Sequence, residues 1–135
     1  KLKKIIKPVI KLKAQILQIK KISKNEYIGY NQTYKTYQDT KVAIVGLGYG
    51  DGYPRNLSNK GFLYRMSERY KILGRVSMDS ITIDITKSKK TFKIGDYIEV
   101  INYDHTIDKL AKQSGTISNE ILTSITKRVK RIYYV

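Results

Sequence analysis

The sequence lacks several residue types on which many enzymes depend. It contains no cysteine and a single histidine, His105, among 135 residues. The absence of cysteine excludes disulfides and thiolate metal sites, and one histidine argues against a histidine-based metal centre or a Ser-His-Asp triad. We therefore expect no metal site, and any chemistry must use other side chains.

Long apolar runs are also missing. No segment approaches the about 20 apolar residues that cross a bilayer, and no apolar stretch follows the basic start, as a secretory signal requires. Apolar residues make up 41% of the chain, which is enough for the core of one compact domain. We expect a soluble, cytoplasmic protein that has no membrane partner.

Acidic residues are few. The sequence has 11 aspartates and glutamates against 27 lysines and arginines, which gives a formal charge of +16. Such a field attracts polyanions, and twelve tyrosines are available for base stacking. A basic β-barrel that binds nucleic acid is therefore one hypothesis. The lysines are dispersed, however, so we favour a compositional bias as the source of the charge and do not expect a nucleic-acid partner.

The pattern of apolar residues favours a mainly β fold. They alternate at Leu12, Ala14 and Ile16 and then slip to Leu17 and Ile19, as in a long strand with a bulge near Ile16. Further strand-like runs cover residues 27–34, 41–47, 70–76, 80–85 and 97–102. Short strands between glycine, asparagine or charged clusters predict a small, β-barrel-like domain.

Two short helices are predicted near the end of the chain. Thr106 is placed to cap one, with Gly115 as its stop, and the other covers residues 118–125. Residues 128–135 return to a strand pattern. Residues 1–8 read as a junction from an upstream domain, and residues 9–135 as the β domain itself.

Residues 46–55 read Gly-Leu-Gly-Tyr-Gly-Asp-Gly-Tyr-Pro-Arg. Alternate glycines allow a crowded backbone, but the dinucleotide fingerprint fails, since Asp51 or Tyr53 stands where its third glycine is needed. Tyr30 and Tyr49 each adjoin a glycine, where a ligand can approach. Either tyrosine is a proton-transfer group if a cation lowers its pKa, or simply a strand residue.

Arg75 and Asp79 flank a small polar residue and a methionine in residues 74–79, Gly-Arg-Val-Ser-Met-Asp. The two charges form either a local pair on an edge strand, which stabilises little, or part of a strand end whose N–H groups meet an anion. The residues alone leave both alternatives open.

Four segments in order resemble the C-terminal domain of alanine racemase: residues 28–34, 46–55, 74–79 and 115–122. The resemblance runs from about residue 9 to residue 135. It implies the C-terminal part of a pyridoxal 5′-phosphate-dependent homodimer that interconverts L- and D-alanine for peptidoglycan synthesis. The cofactor and its Schiff-base lysine then belong to an N-terminal α/β barrel, and this chain contributes residues in trans to the barrel of the second subunit.

The resemblance also implies roles for single residues. Tyr30 becomes the base on the L-alanine face of Cα, opposite the barrel lysine, because inversion needs a proton removed from one face and returned to the other. Tyr49 narrows the substrate entrance. The main-chain N–H of Met78 binds the substrate carboxylate, and Asp79 is its neighbour.

Three residues depart from the family pattern. Asn119 stands where many members have a tyrosine that contacts the cofactor phosphate, so we expect a looser contact there. Ser77 replaces a cysteine and Lys130 replaces a proline. The isolated chain, without the barrel, is expected to bind the cofactor weakly and to be inactive.

Overall fold

The computed structural model describes residues 10–134, apart from the side chain of Tyr30. The junction predicted for residues 1–8 therefore lies outside the described residues. The described residues form eight strands: β1 (Leu12–Ile22), β2 (Tyr27–Ile28), β3 (Tyr34–Lys35), β4 (Thr40–Val45), β5 (Phe62–Arg65), β6 (Glu68–Lys71), β7 (Ile81–Asp84) and β8 (Tyr97–Ile101). Six form an antiparallel sheet in the order β6-β5-β8-β1-β4-β7, and β2 pairs with β3. The mainly β fold is confirmed.

Strand β1 is the long strand at the centre of this sheet. Its first half pairs with β8 and its second half with β4, and the register against β4 shifts between Ile16 and Gln18. That shift is the bulge predicted near Ile16. It keeps Ile16 fully buried although the alternation of the sequence slips by one residue.

The sheet curls until its two edge strands meet. Ile72, which follows β6, forms a single bridge to Ile83 of β7, and the Leu73 N–H donates to the Thr82 carbonyl at 2.9 Å. No continuous ladder joins β6 to β7. The molecule is therefore barrel-like, as predicted, without being a closed barrel.

The larger of two hydrophobic clusters in the described residues forms the core inside the curl of the sheet. Its fully buried members include Ile16, Leu63, Ile72, Ile83 and Ile98. Burial of each such side chain contributes about 1.5 to 3 kcal/mol. The core thus fixes the sheet, and the sheet fixes where its connecting loops emerge.

The two predicted helices are present. Helix α1 (Ile107–Ser114) begins after Thr106, whose hydroxyl accepts from the Lys109 N–H, and ends at Gly115 with a φ of +75°. Helix α2 (Ser118–Ser124) follows directly. Leu110 and Ile121 attach the two helices to the core.

Three sequence expectations were wrong in detail. β5 was missed, although it contributes the buried Leu63. Residues 27–34 are not one run, because a 3-10 turn, Tyr30–Gln32, separates β2 from β3. Residues 128–134 form no strand. Instead the Arg131 guanidinium donates to the carbonyls of Ile125, Thr126 and Val129, so that the segment folds back against the residues just before it.

Neither α1 nor α2, the helices of the described part, has the length and apolar character that a membrane-spanning helix needs. Residues 10–134 likewise contain no group of three or more His, Cys, Asp or Glu residues placed to hold a metal ion.

Candidate functional site

The glycine-rich run leaves β4 and lies directly on the main chain of residues 77 and 78. The N–H groups of Tyr49 and Gly50 donate to the carbonyls of Ser77 and Met78, at 3.0 and 2.9 Å. A Cβ at Gly48 would overlap both of those carbonyl oxygens. The crowding predicted for the run is thus contact with the protein's own backbone.

The N–H groups of residues 46–53 all donate to acceptors of the same chain. Gly48 donates to the Asp51 carboxylate at 2.9 Å, Gly52 to the Tyr49 carbonyl, and Tyr53 to the Gly48 carbonyl. A phosphate-binding loop needs such N–H groups free to face the ligand. The glycines of the run therefore serve close packing and hydrogen bonds within the protein's own main chain.

A third segment packs on the other side of the run. The Thr126 N–H donates to the Asp51 carbonyl at 3.1 Å, and its hydroxyl donates to the Gly50 carbonyl at 2.8 Å. Gly52 has a φ of +113°, and a Cβ there would overlap the Ser124 carbonyl at the end of α2. Residues 46–55, 77–79 and 124–128 therefore form one structural unit.

The turn that carries Tyr30 packs against Gly74 and Arg75, which precede residues 77–79 in the chain. The main chain of Gly29 lies against that of Gly74. A Cβ added to Gly29 would be 3.1 Å from the main-chain nitrogen of Arg75. Asn59 ties the two segments together, since its amide oxygen accepts from the Gly74 N–H at 2.6 Å and its amide nitrogen donates to the Thr33 hydroxyl at 3.3 Å. The main chain of Tyr30 is thereby placed beside residues 74–75, while its side chain lies outside the described part.

An open cleft of about 460 Å³ lies between these segments. It is lined by Thr33, Arg55, Asn56, Ser58, Asn59 and Arg75. The Arg55 guanidinium also lies over the ring of Tyr49, 6.0 Å from its centroid. The cleft is therefore positively charged and polar, which suits a small anion. Sequence reasoning noted both arginines without assigning them to one cleft, because only the loop geometry brings them together.

Met78 and Asp79 lie on an exposed turn beside the glycine run. Their side chains are about half and 69% exposed. Ser77 holds the turn, since its N–H donates to the Ser80 carbonyl at 3.1 Å and its hydroxyl accepts from the Ser80 N–H. Among the described main-chain and side-chain groups, the Met78 N–H has no acceptor. It is available to an anion from outside the chain.

Asp79 does not form the local ion pair with Arg75 that their closeness in the sequence suggested. Asp79 forms an ion pair with Arg128 rather than with Arg75. Arg128 also lies 3.4 Å from the Asp51 carboxylate. Nothing in the local sequence indicated this contact, because the partners are 49 and 77 residues away from Arg128.

Asn119 is exposed at the start of α2. The residue of α2 that touches the glycine run is Ser124, at the opposite end of the helix. No contact in the described part brings Asn119 to the other predicted site residues. Its amide is free to donate to a group outside the chain.

Two buried polar side chains do not line the cleft. The Tyr53 hydroxyl and His105 Nε2 have no hydrogen-bond partner among the described residues. Burial raises the pKa of Tyr53 and lowers that of His105, which stacks on Tyr64 with ring centroids 4.2 Å apart. Neither group faces the cleft, so we assign them to the core.

Some of the exposed tyrosines are not open to base stacking. Three exposed tyrosines each carry a lysine ammonium over the ring, at 5.2 to 5.5 Å: Tyr27, Tyr97 and Tyr103. These rings are occupied by cations of the same chain. Stacking platforms instead present open aromatic faces in a row.

Comparison with known proteins gives one consistent result. Residues 9–133 match the model of a family described as "Alanine racemase, C-terminal domain". An alanine racemase from Aquifex aeolicus is 35% identical over 127 residues, which cover 94% of this chain and 37% of that protein. One from Rickettsia bellii is 41% identical, over 92% of this chain and 30% of that protein.

Solved structures show the same similarity. The crystal structure of alanine racemase from Bartonella henselae, with covalently bound pyridoxal phosphate, superposes with a TM-score of 0.89 at 40% identity. That match covers 92% of this chain and 34% of the other. The chain therefore spans about a third of the length of the relatives it matches.

Proposed function

The chain belongs to the family of alanine racemase C-terminal domains, and from this premise we propose that it is the substrate-positioning part of a pyridoxal phosphate-dependent alanine racemase. The observation that carries the proposal is the joining of the predicted motifs. The glycine run packs on the main chain of Ser77 and Met78, and Gly29, next to Tyr30, packs on Gly74 and Arg75 at the start of the same segment. An amino acid substrate would meet groups from all three motifs.

The residues present fit the substrate end of the cofactor better than its phosphate end. Residues 46–53 of the glycine run have no free N–H group for a phosphate, and Asn119 offers a single exposed amide. The cofactor would therefore be held mainly by an N-terminal barrel domain. When bound, pyridoxal phosphate supplies the delocalisation that stabilises the electron pair left at Cα.

Tyr30 would act as a general base on one face of the substrate. Its hydroxyl, once ionised, accepts the Cα proton of L-alanine and returns it in the reverse direction. A phenol has an ordinary pKa of about 10, and nearby positive charge lowers it. The cleft lined by Arg55 and Arg75 adjoins the turn that carries Tyr30. A lysine from the barrel would serve the opposite face.

The other predicted residues would bind and orient the substrate. The unpaired Met78 N–H donates to the alanine carboxylate, and Asp79 helps to hold the turn. Tyr49, 45% exposed and covered on one side by Arg55, narrows the approach. Because the barrel and this domain come from different subunits in the proposed assembly, the active enzyme is a homodimer. We place it in the cytoplasm, where alanine is supplied for peptidoglycan precursors.

The proposal is tested by comparing two proteins. The full-length protein that contains these residues should convert L-alanine to D-alanine when pyridoxal phosphate is present, and the isolated chain should not. Optical rotation, followed until equilibrium, measures both. Conversion by the isolated chain would contradict the proposed division of labour, and no conversion by the full-length protein would contradict the function.

A further inference from the structure

Arg128 joins the two loops that carry the proposed substrate contacts. Its Nη2 donates to the Asp79 carboxylate, next to Met78, and its Nε lies 3.4 Å from the Asp51 carboxylate in the glycine run. The hydrogen bond to Asp79 and the charge of Asp51 raise the pKa of Arg128 above its ordinary value. One guanidinium thus bridges two acidic groups on separate loops.

The position of the Arg128 guanidinium is fixed by packing. It lies so close to Gly50 that a Cβ on that residue would overlap its Nη1. The segment that carries Arg128 is itself anchored, since Thr126 donates to the carbonyls of Gly50 and Asp51. The side chain is therefore held over the glycine run by backbone contacts as well as by charge.

Arg128 affects the geometry of both the glycine run and the Met78 turn. On one side, Asp51 also accepts the Gly48 N–H, so that the start of the run is fixed by the same carboxylate that meets Arg128. On the other side, Asp79 directly follows Met78, whose N–H is unpaired within the described chain. We propose that Arg128 is a positioning residue, which aims the Met78 N–H at the substrate carboxylate through Asp79. This proposal rests on the proposed function.

The ion pair between Arg128 and Asp79 contributes little to stability by itself. Asp79 is 69% exposed and Arg128 is 43% exposed, and exposed ion pairs stabilise proteins little. Orientation of a turn, in contrast, needs only that one geometry be favoured over others. The Met78 N–H would bind the carboxylate equally before and during reaction, so its displacement should raise KM and leave kcat nearly unchanged.

The test replaces Arg128 in the full-length enzyme with bound pyridoxal phosphate. Arg128→Ala should raise the KM for L-alanine about tenfold, the factor expected for one weakened hydrogen bond to a charged group. Arg128→Lys should restore part of this loss, because one ammonium reaches one carboxylate at a time. Asp79→Asn should raise KM in the same way and add little to Arg128→Ala in the double variant.

The matched control is Arg65→Ala, which removes a partly exposed arginine that pairs with Asp96 at 3.6 Å on a different part of the sheet. It should leave KM unchanged. A KM for Arg128→Ala within twofold of the parent, additive effects of Arg128 and Asp79, or an equal rise in Arg65→Ala would each overturn the proposal. If Arg128→Ala fails to fold, Arg128→Lys and Asp79→Asn decide the same question.

A second measurement does not depend on racemase activity. Amide hydrogen exchange at Tyr49 and Gly50, which donate to the Ser77 and Met78 carbonyls, should accelerate in Arg128→Ala and not in Arg65→Ala. Unchanged exchange overturns the positioning role. If the parent enzyme does not racemise alanine, the proposed function fails, and exchange still decides whether Arg128 holds the two loops.

Discussion

At the scale of single residues, the tyrosines show how far local sequence can lead. Tyr30 and Tyr49 each follow a glycine, and composition alone could not separate a base from a strand residue. The resemblance to a family assigned them different roles. The structure puts the main chain of both beside residues 74–78, which only long-range packing could decide. Their chemical roles stay predictions.

Removal of the Tyr30 hydroxyl should stop the reaction from the L-alanine side. Tyr30→Phe keeps a ring of similar size but cannot accept a proton, so the full-length enzyme should lose about 10² to 10⁴-fold in kcat. Racemisation from L-alanine, followed by optical rotation, measures this. Tyr27→Phe is the control, since Tyr27 is an exposed residue of β2 beneath Lys35. A near-normal rate in Tyr30→Phe would show that another group is the base.

The glycine run offers a prediction about packing. Gly48→Ala should lower the free energy of unfolding by about 1 to 3 kcal/mol, because the new Cβ meets two rigid carbonyl groups. Gly46→Ala should cost less, since its nearest neighbours are atoms of the exposed Leu17 side chain, 3.1 to 3.3 Å away, which can rotate. Urea unfolding of the isolated chain measures both variants. Equal losses would mean that the close approach at Gly48 is not rigid.

At the scale of elements, prediction succeeded where the signal was local. The bulge in β1 shows in the alternation of apolar residues, and α1 shows in its first and last residues, Thr106 and Gly115. β5 was missed because its four residues pair with β6 and β8, and the pattern within them is too short to stand out. Residues 128–134 alternate like a strand, yet no strand edge is paired with them.

The cap of α1 can be tested directly. Thr106→Ala removes the hydroxyl that accepts from the Lys109 N–H and should lower the free energy of unfolding by about 1 kcal/mol. Thr106→Ser keeps the acceptor and should be close to the parent. Urea unfolding of the isolated chain separates the two. Equal loss in both variants would indicate that the threonine methyl group, rather than the cap, stabilises this end of the helix.

At the scale of the whole molecule, the single histidine sets a pH dependence of stability. Burial, and then the charge of Lys109, lower the pKa of His105 in the folded state. The unfolded chain therefore binds this proton more tightly than the folded chain does. The contribution of neutral His105 to the free energy of unfolding is complete above the ordinary histidine pKa of about 6.5. This contribution is lost as the pH falls below that value toward the lowered pKa of the folded state.

Urea unfolding of the isolated chain at about pH 7.5 and about pH 5.5, on either side of that ordinary pKa, should reveal the loss. His105→Phe keeps a ring against Tyr64 and removes the titration, so its stability should change less between the two conditions. His105 is the only histidine in the sequence. An unchanged pH dependence in the variant would assign the effect to other groups.

The linear sequence was sufficient to deduce the fold class, the bulge, both helices and the family. The periodicity of apolar residues indicated the fold class and the bulge, the capping residues indicated the helices, and the ordered motifs indicated the family. It also excluded a dinucleotide loop, since the spacing of the glycines is a local property. Only the tertiary structure decided what the glycines are for, which arginines share a cleft, and that Asp79 pairs with Arg128. Those contacts join residues far apart along the chain, and their geometry depends on how the sheet curls around its core.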